Sequence, residues 1–206
     1  MMSEDALLGR SSTLRRKEAV KLGKERDSGP CDLLLKSLKI EQEGKNLWST
    51  KGEIIKSLGL CRCGDCADLL FEKYVTMSDP SVSYPTSMAA LSYVRLTRAG
   101  LDDIQPVLKV LNLSNYFASE GALNAMGYDR MIPSESDQMT LIKMCWDFGR
   151  GRDRGLCDPR YGLAAACAGW AAPIVCSFLE YCLESEDAPL KYVAENSLKK
   201  CYVKLR

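Results

Sequence analysis

Apolar residues recur at helical spacing through most of the chain. Leu34 and Leu38 share one face of an early stretch, and Leu141 and Ile142 belong to one face of a later stretch. Positions that repeat as i, i+3, i+4 and i+7 mark one side of an α-helix, whereas half-buried strands alternate with period two. Alternation is confined to residues 82–84. The pattern therefore predicts an all-α protein, with a multi-helix bundle and a smaller N-terminal helical unit.

Two polar breaks divide this pattern into segments. Residues 27–30 read Asp-Ser-Gly-Pro, and residues 78–85 contain two prolines and three serines. Composition of this kind marks loops and domain boundaries. We therefore expect a flexible basic arm at 1–30, a small helical unit with a cysteine-rich turn at 31–79, and a helical bundle domain at 85–206. The arm has few apolar residues to offset the entropy cost of ordering it.

The most apolar stretch runs from 161 to 179 and contains nineteen residues without a charge. Its length approaches that of a transmembrane helix. However, much of it is Ala and Gly, and Pro173 lies inside it, so a core helix buried all round is favoured and no membrane is expected. Gly162, Ala166 and Gly169 fall on one side, where neighbouring helices can approach closely. The stretch is expected to form the core of the bundle or the contact of a homo-oligomer.

Composition narrows the classes of function. The chain is 46% hydrophobic and 27% charged with a net charge of +1, so any nucleic acid must be met by a local basic segment rather than by an overall field. Histidine is absent, which removes the usual general base at neutral pH and the commonest metal ligand. The chain is therefore predicted not to be an enzyme.

The ten cysteines bear on the cellular compartment in which the protein is expected. The first residues, Met1 to Asp5, include two acids and are not followed by the long apolar run of a secretory signal. The cysteines are scattered, and several lie in apolar helical stretches where a free thiol behaves as a small hydrophobe. We expect free thiols in an intracellular protein of the cytoplasm or nucleus.

One cluster of cysteines stands out as a candidate metal site. Cys61, Cys63 and Cys66 fall within six residues between two helical patterns, and residues 61–66 are called the cysteine turn below. Structural zinc takes four tetrahedral ligands, for which thiolates are well suited. With Cys31 as the fourth ligand, the turn is a candidate zinc site. Ordinary packed thiols are one alternative, and redox chemistry by a Cys63–Cys66 dithiol is another.

Basic residues form two candidate nucleic-acid contacts. Between Arg10 and Lys24 six cations face one acid, and these are Arg10, Arg15, Arg16, Lys17, Lys21 and Lys24. Further along, Arg150, Arg152 and Arg154 alternate with other residues in a glycine-rich loop near Trp146 and Phe148. Arginines beside aromatic rings suit phosphate and single-stranded base contacts. Solvated segments whose cations pair with nearby acids remain the alternative reading of both.

These features together predict a regulatory protein without catalytic activity that binds nucleic acid, with RNA favoured, through its local basic segments. A structural zinc at the cysteine turn is part of this hypothesis. Two alternatives stay open. One is an accessory or adaptor module that binds a protein partner without nucleic acid, and the other is a thiol-dependent redox protein.

Overall fold

Every regular element that the structure describes is a helix, so the prediction of an all-α, multi-helix protein is confirmed. The computed structural model describes the residues 4–26, 29–43, 48–77, 79–146, 148, 158 and 160–203. The chain divides into two compact units, Met1–Thr97 and Arg98–Arg206. They are called unit 1 and unit 2 below.

Unit 1 is built from helices joined by short turns. In chain order its helices are α1 (Glu4–Leu8), α2 (Ser12–Glu25), α3 (Cys31–Glu43), α4 (Trp48–Leu60), α5 (Ala67–Leu70) and α6 (Ser83–Thr97). Single 3-10 turns at Gly64–Cys66 and Pro80–Val82, and a π-helical turn at Phe71–Val75, supplement them. Helix α4 is the centre of the unit, because α2, α3 and α6 all pack against it.

Two glycines on α4 explain why α6 belongs to unit 1. A Cβ atom on Gly52 would meet the ring of Tyr84, and one on Gly59 would meet Ser92, so both positions let α6 approach closely. The Ser92 hydroxyl also donates a hydrogen bond of 2.9 Å to the Ile55 carbonyl. The predicted boundary at 79–85 is therefore wrong. The proline-rich segment lies within unit 1, and the units divide after Thr97.

The prediction of a flexible arm at 1–30 is also wrong for its described residues. Helix α2 begins after Ser11, whose side chain accepts a hydrogen bond from the Leu14 N–H at 3.4 Å. On its inner face Ala19 and Leu22 are fully buried, and Ser57 of α4 donates a hydrogen bond of 2.7 Å to the Ala19 carbonyl. A few small and apolar residues are enough, because this face packs closely on α4.

Unit 2 contains the remaining α-helices of the described ranges. These are α7 (Gln105–Leu111), α8 (Tyr116–Asp129), α9 (Glu135–Cys145), α10 (Arg160–Ala166), α11 (Ile174–Leu183) and α12 (Ala188–Leu198), with a 3-10 turn at Cys167–Gly169. Helix α10 packs against α8 and α12, and α11 packs against α9 and α12. Among the described residues, no helix is long and apolar enough to cross a membrane.

The apolar stretch 161–179 is mostly buried, and it is not one helix. Helix α10 and the following 3-10 turn end before Trp170, and α11 begins after Pro173. The side chain of Gln138 holds the connection open, because its oxygen accepts hydrogen bonds from the Ala171 and Ala172 N–H groups at 3.2 and 3.0 Å. Leu163 and its neighbours on α10 are buried inside unit 2, so this helix gives no support to the predicted contact between two copies.

Candidate functional site

The basic residues of α2 do not share one environment, because the helix has an inner and an outer face. Arg15, Ala19 and Leu22 are buried on the inner side. At 100° per residue, Lys17, Lys21 and Lys24 fall on the opposite side, and all three are exposed. We call these three residues the lysine face. Their spacing of i, i+4 and i+7 aligns three ammonium groups along the helix.

Two arginines flank the lysine face. Arg10 is exposed just before α2, and Arg16 is exposed on the side of the helix. The Arg16 guanidinium lies 4.0 Å from a carboxylate oxygen of Glu53, with the Arg16 side chain 49% exposed. Similarly, the Lys21 Nζ lies 3.5 Å from a carboxylate oxygen of Glu18. Each pair joins an exposed cation to a largely buried carboxylate, because the Glu53 and Glu18 side chains are only 17% and 16% exposed.

Arg15, in contrast, is part of the core of unit 1. Its guanidinium donates to a carboxylate oxygen of Glu41 on α3 through Nε at 2.7 Å and Nη2 at 2.5 Å, and it also donates to the Gly9 carbonyl. Both side chains are buried, at 7% and 3% exposure. Arg15 therefore holds α2 and α3 together. Because the Arg15 guanidinium is not exposed, the structure gives no support to its predicted role in nucleic-acid binding.

A buried lysine beside this pair was not anticipated from the sequence. Lys51 on α4 is buried, and its Nζ lies 4.8 Å from the centre of the Trp48 ring. Burial lowers the pKa of Lys51, while the nearby charge of Glu41 raises it. No signal in the sequence separates this lysine from exposed ones, because its burial follows from the packing of α2 and α3 on α4.

The arginine loop lies outside the described residues, so the positions of Arg150, Arg152 and Arg154 stay predictions. Its flanks are described. The Trp146 ring stacks on Tyr181 with centroids 5.3 Å apart and an interplanar angle of 12°. This stacking occupies one face of the Trp146 ring, which from the sequence is a candidate contact for a nucleic-acid base.

Beyond the loop, Arg160 is also internal. It is buried and donates to the Asp158 carboxylate through Nε and Nη2 at 3.0 and 2.8 Å. Its guanidinium lies 5.3 Å from the centre of the Tyr181 ring. This arginine therefore stabilises the start of α10 rather than presenting charge to a ligand.

The cysteine turn brings together two of the four predicted zinc ligands, but as a disulfide. Cys31, the first residue of α3, is bonded to Cys63, 32 residues further along the chain. The other two ligands remain thiols. Cys61 donates to the Leu22 carbonyl at 3.6 Å, and Cys66 donates to the Cys63 carbonyl at 2.9 Å.

These four sulfurs do not fit a zinc site as they stand. Two are joined to each other, and among the described residues no group of three or more Cys, Asp or Glu side chains is arranged to hold a metal ion. The expectation of free thiols throughout is corrected for Cys31 and Cys63. Zinc binding stays a prediction, to be tested by metal analysis of the reduced protein, and the intracellular location likewise stays a prediction.

The redox alternative predicted a dithiol of Cys63 and Cys66. The structure pairs Cys63 with Cys31 instead, and Cys66 is buried. Burial is the main cause that raises the pKa of the Cys66 thiol to about 11. A backbone hydrogen bond lowers this pKa by less, and the charge of Asp65 adds a small further rise. A thiol of this kind is almost entirely protonated at neutral pH and is a poor nucleophile.

Unit 2 contains a second group of buried thiols. Cys145, Cys167 and Cys182 are fully buried, and burial is the main cause that raises the pKa of each. The values are about 12 for Cys145 and for Cys182. These cysteines behave as small core residues, as their apolar surroundings in the sequence predicted.

No protein-family model and no curated protein matches the chain. Among solved structures, that of human deoxyhypusine hydroxylase in complex with glycerol is similar at 16% identity, covering 96% of this chain and 82% of that chain with a TM-score of 0.38. That protein is an enzyme, and this finding contradicts the prediction that the chain is not an enzyme, which we do not maintain. A likeness at this TM-score supports no particular activity for this chain.

Proposed function

We propose that this protein binds single-stranded nucleic acid, with RNA as the expected ligand, through the lysine face of α2. The observation that carries the proposal is that Lys17, Lys21 and Lys24 share the side of α2 that is opposite its buried residues. The whole chain has a net charge of only +1, so this concentration of charge is local. Phosphate contacts of this kind position a nucleic acid without reading its sequence.

The geometry of the face suits one flexible strand. Lys17 and Lys24 are separated by about 10 Å along the helix axis, at 1.5 Å per residue. A single row of charges of this length can follow one phosphate backbone, and a flexible strand can bend to meet it. Arg10 and Arg16, exposed beside the row, extend the same positive surface. Because long single strands in cells are mostly RNA, RNA is the ligand we expect.

The composition of α2 also restricts how the lysine face can bind a nucleic acid. Helix α2 contains no aromatic residue, so it has no ring on which a base can stack. Affinity must then come from the release of counterions from the phosphates. Such binding is independent of base sequence, is in the micromolar range or weaker at physiological salt, and weakens steeply as salt is added.

The test is a titration of a labelled single-stranded RNA of about 20 nucleotides, long enough to exceed typical binding-site sizes. The variant Lys17→Ala/Lys21→Ala/Lys24→Ala removes the lysine face while keeping strong helix formers on an exposed surface. The matched control is Lys143→Ala/Lys191→Ala/Lys199→Ala, which removes three exposed lysines of unit 2 and so changes the net charge equally.

We expect the lysine-face variant to lose at least about tenfold in affinity, and the control to bind nearly as well as the original protein. Equal weakening in both variants would contradict the proposal, because net charge rather than this face would then matter. If neither RNA nor single-stranded DNA binds, but an acidic peptide does, the adaptor alternative replaces it.

A further inference from the structure

The cysteine turn lies against the end of the helix that carries the lysine face. At the end of α2 the Leu22 carbonyl accepts the N–H of Arg26 at 3.0 Å and the thiol of Cys61 at 3.6 Å. Two residues after Cys61, Cys63 is bonded to Cys31, which begins the next helix, α3. One turn thus holds both the end of α2 and the start of α3.

Helix α3 in turn holds the start of α2. Near the C-terminal end of α3, the carboxylate of Glu41 accepts hydrogen bonds from the guanidinium of Arg15, and the two side chains form a buried ion pair between the helices. Leu34 and Leu38 are buried on the inner side of α3. The disulfide at one end of α3 and the ion pair near the other therefore fix this helix, and α3 and the cysteine turn add to the packing of α4 in holding α2.

From this arrangement we propose that the Cys31–Cys63 disulfide is a redox switch for the lysine face, an inference that rests on the function proposed above. In the disulfide state both ends of α2 are held, and the lysines are preorganised in one row. Reduction releases the start of α3 and loosens the Arg15–Glu41 pair, so α2 keeps its packing on α4 but loses support from α3 and becomes more mobile. Ordering α2 on RNA then costs free energy, and binding weakens.

The chemical step is a thiol–disulfide exchange. Two thiols of a cellular reductant of the glutathione or thioredoxin class supply two electrons and two protons. The S–S bond of Cys31 and Cys63 breaks, both residues become thiols, and the reductant becomes a disulfide. Disulfides inside cells are usually transient and often sense redox state.

The experiment compares RNA affinity and amide hydrogen exchange in the full-length protein with and without a phosphine reductant. We expect reduction to weaken RNA binding about fivefold or more, the lower end of usual coupling between sites. Exchange of the α2 and α3 amides is expected to become faster, while α8 and α10 of unit 2 stay unchanged. The variant Cys31→Ala/Cys63→Ala should resemble the reduced protein and no longer respond to reductant.

A control variant, Cys176→Ala/Cys201→Ala, removes two exposed thiols of unit 2 and should keep the full response. Equal RNA affinity in both redox states would overturn the switch while the proposed function stands. Absence of RNA binding in both states would overturn the proposed function and the switch with it. A large drop in the helical circular dichroism signal of the whole protein on reduction would also overturn the switch, because unit 1 would then have unfolded and the bond would be a requirement of folding.

Discussion

Arg15 of α2 and Glu41 of α3 form a buried ion pair, although they are 26 positions apart in the chain. The neighbouring Arg16 is half exposed and lies only at the edge of contact with Glu53. Two adjacent arginines in one basic segment therefore have different roles. Arg15 stabilises the fold, and Arg16 belongs to the exposed surface.

This difference predicts unequal effects on stability. Arg15→Ala leaves Glu41 buried without its partner and should lower the free energy of unfolding of unit 1 by about 3 to 5 kcal/mol. Arg16→Ala, the matched control on the same helix, should change it by less than about 0.5 kcal/mol. Urea unfolding combined with hydrogen exchange of α2 and α3 measures both. Similar effects from the two variants would show that the buried pair does not hold the helices.

The disulfide predicts a second loss of stability in unit 1. Cys31 and Cys63 are 32 residues apart, and a loop of this size is expected to stabilise the folded state by about 3 to 4 kcal/mol, mainly by restricting the unfolded chain. The variant Cys31→Ala/Cys63→Ala should therefore unfold at lower urea concentration. The exposed-thiol variant Cys176→Ala/Cys201→Ala should match the original protein. An unchanged urea midpoint in the first variant would argue against the bond.

The cysteines should also differ in reactivity. Cys176 and Cys201 are exposed, whereas Cys66, Cys145 and Cys182 are buried. Because the pKa is raised to about 11 for Cys66 and to about 12 for Cys145 and Cys182, these three are protonated at pH 8. Brief alkylation of the folded protein at pH 8 should label the exposed pair and spare the buried three. Peptide mass spectrometry reads the result, and early labelling of Cys145 would contradict the packing of unit 2.

The same thiols predict how stability depends on pH. Their folded-state pKa lies above the reference value of 9.0, so the protonated form is favoured by folding. This contribution is complete below about pH 9 and is lost as the pH rises through about 11 to 12. Unfolding midpoints measured between neutral pH and pH 11 should fall at the alkaline end.

Some of the fold could be predicted because the signals are local. Asp187 and Pro189 are residue types typical of a helix start, and Asp187 accepts a hydrogen bond from the Leu190 N–H at 2.9 Å, with α12 beginning at Ala188. Capping depends on a few adjacent residues, so the sequence carries it directly. The helical periodicity behind the all-α prediction is local in the same sense.

Other features depend on partners that are distant in sequence. Glycine is the residue most typical of a helix end, yet Gly59 lies inside α4 and makes room for Ser92 of α6. Arg15 resembled an exposed cation, and only its position beside Glu41 shows that it is buried. The pairing of Cys31 with Cys63 likewise could not be distinguished from shared zinc ligation, because both place the same sulfurs close together.

Close helix contact in unit 2 gives a further prediction. A Cβ atom on Gly162 would fall against backbone atoms of Leu123 and Asn124, where α10 crosses α8. Gly162→Ala should therefore lower stability by about 1 to 3 kcal/mol, because backbone rather than a flexible side chain must move. The control is Gly64→Ala in the cysteine turn, where a Cβ atom meets nothing within 4 Å. Thermal unfolding compares them, and equal midpoints would contradict the close crossing.

The most direct test of the central claim is the salt dependence of RNA binding by the lysine face. For single strands the slope of log K against log salt is about −0.7 per phosphate contact, so removing Lys17, Lys21 and Lys24 should make the slope shallower by about two units. The control that removes Lys143, Lys191 and Lys199 should keep the original slope. A lysine-face variant whose slope equals that of the original protein would contradict the account.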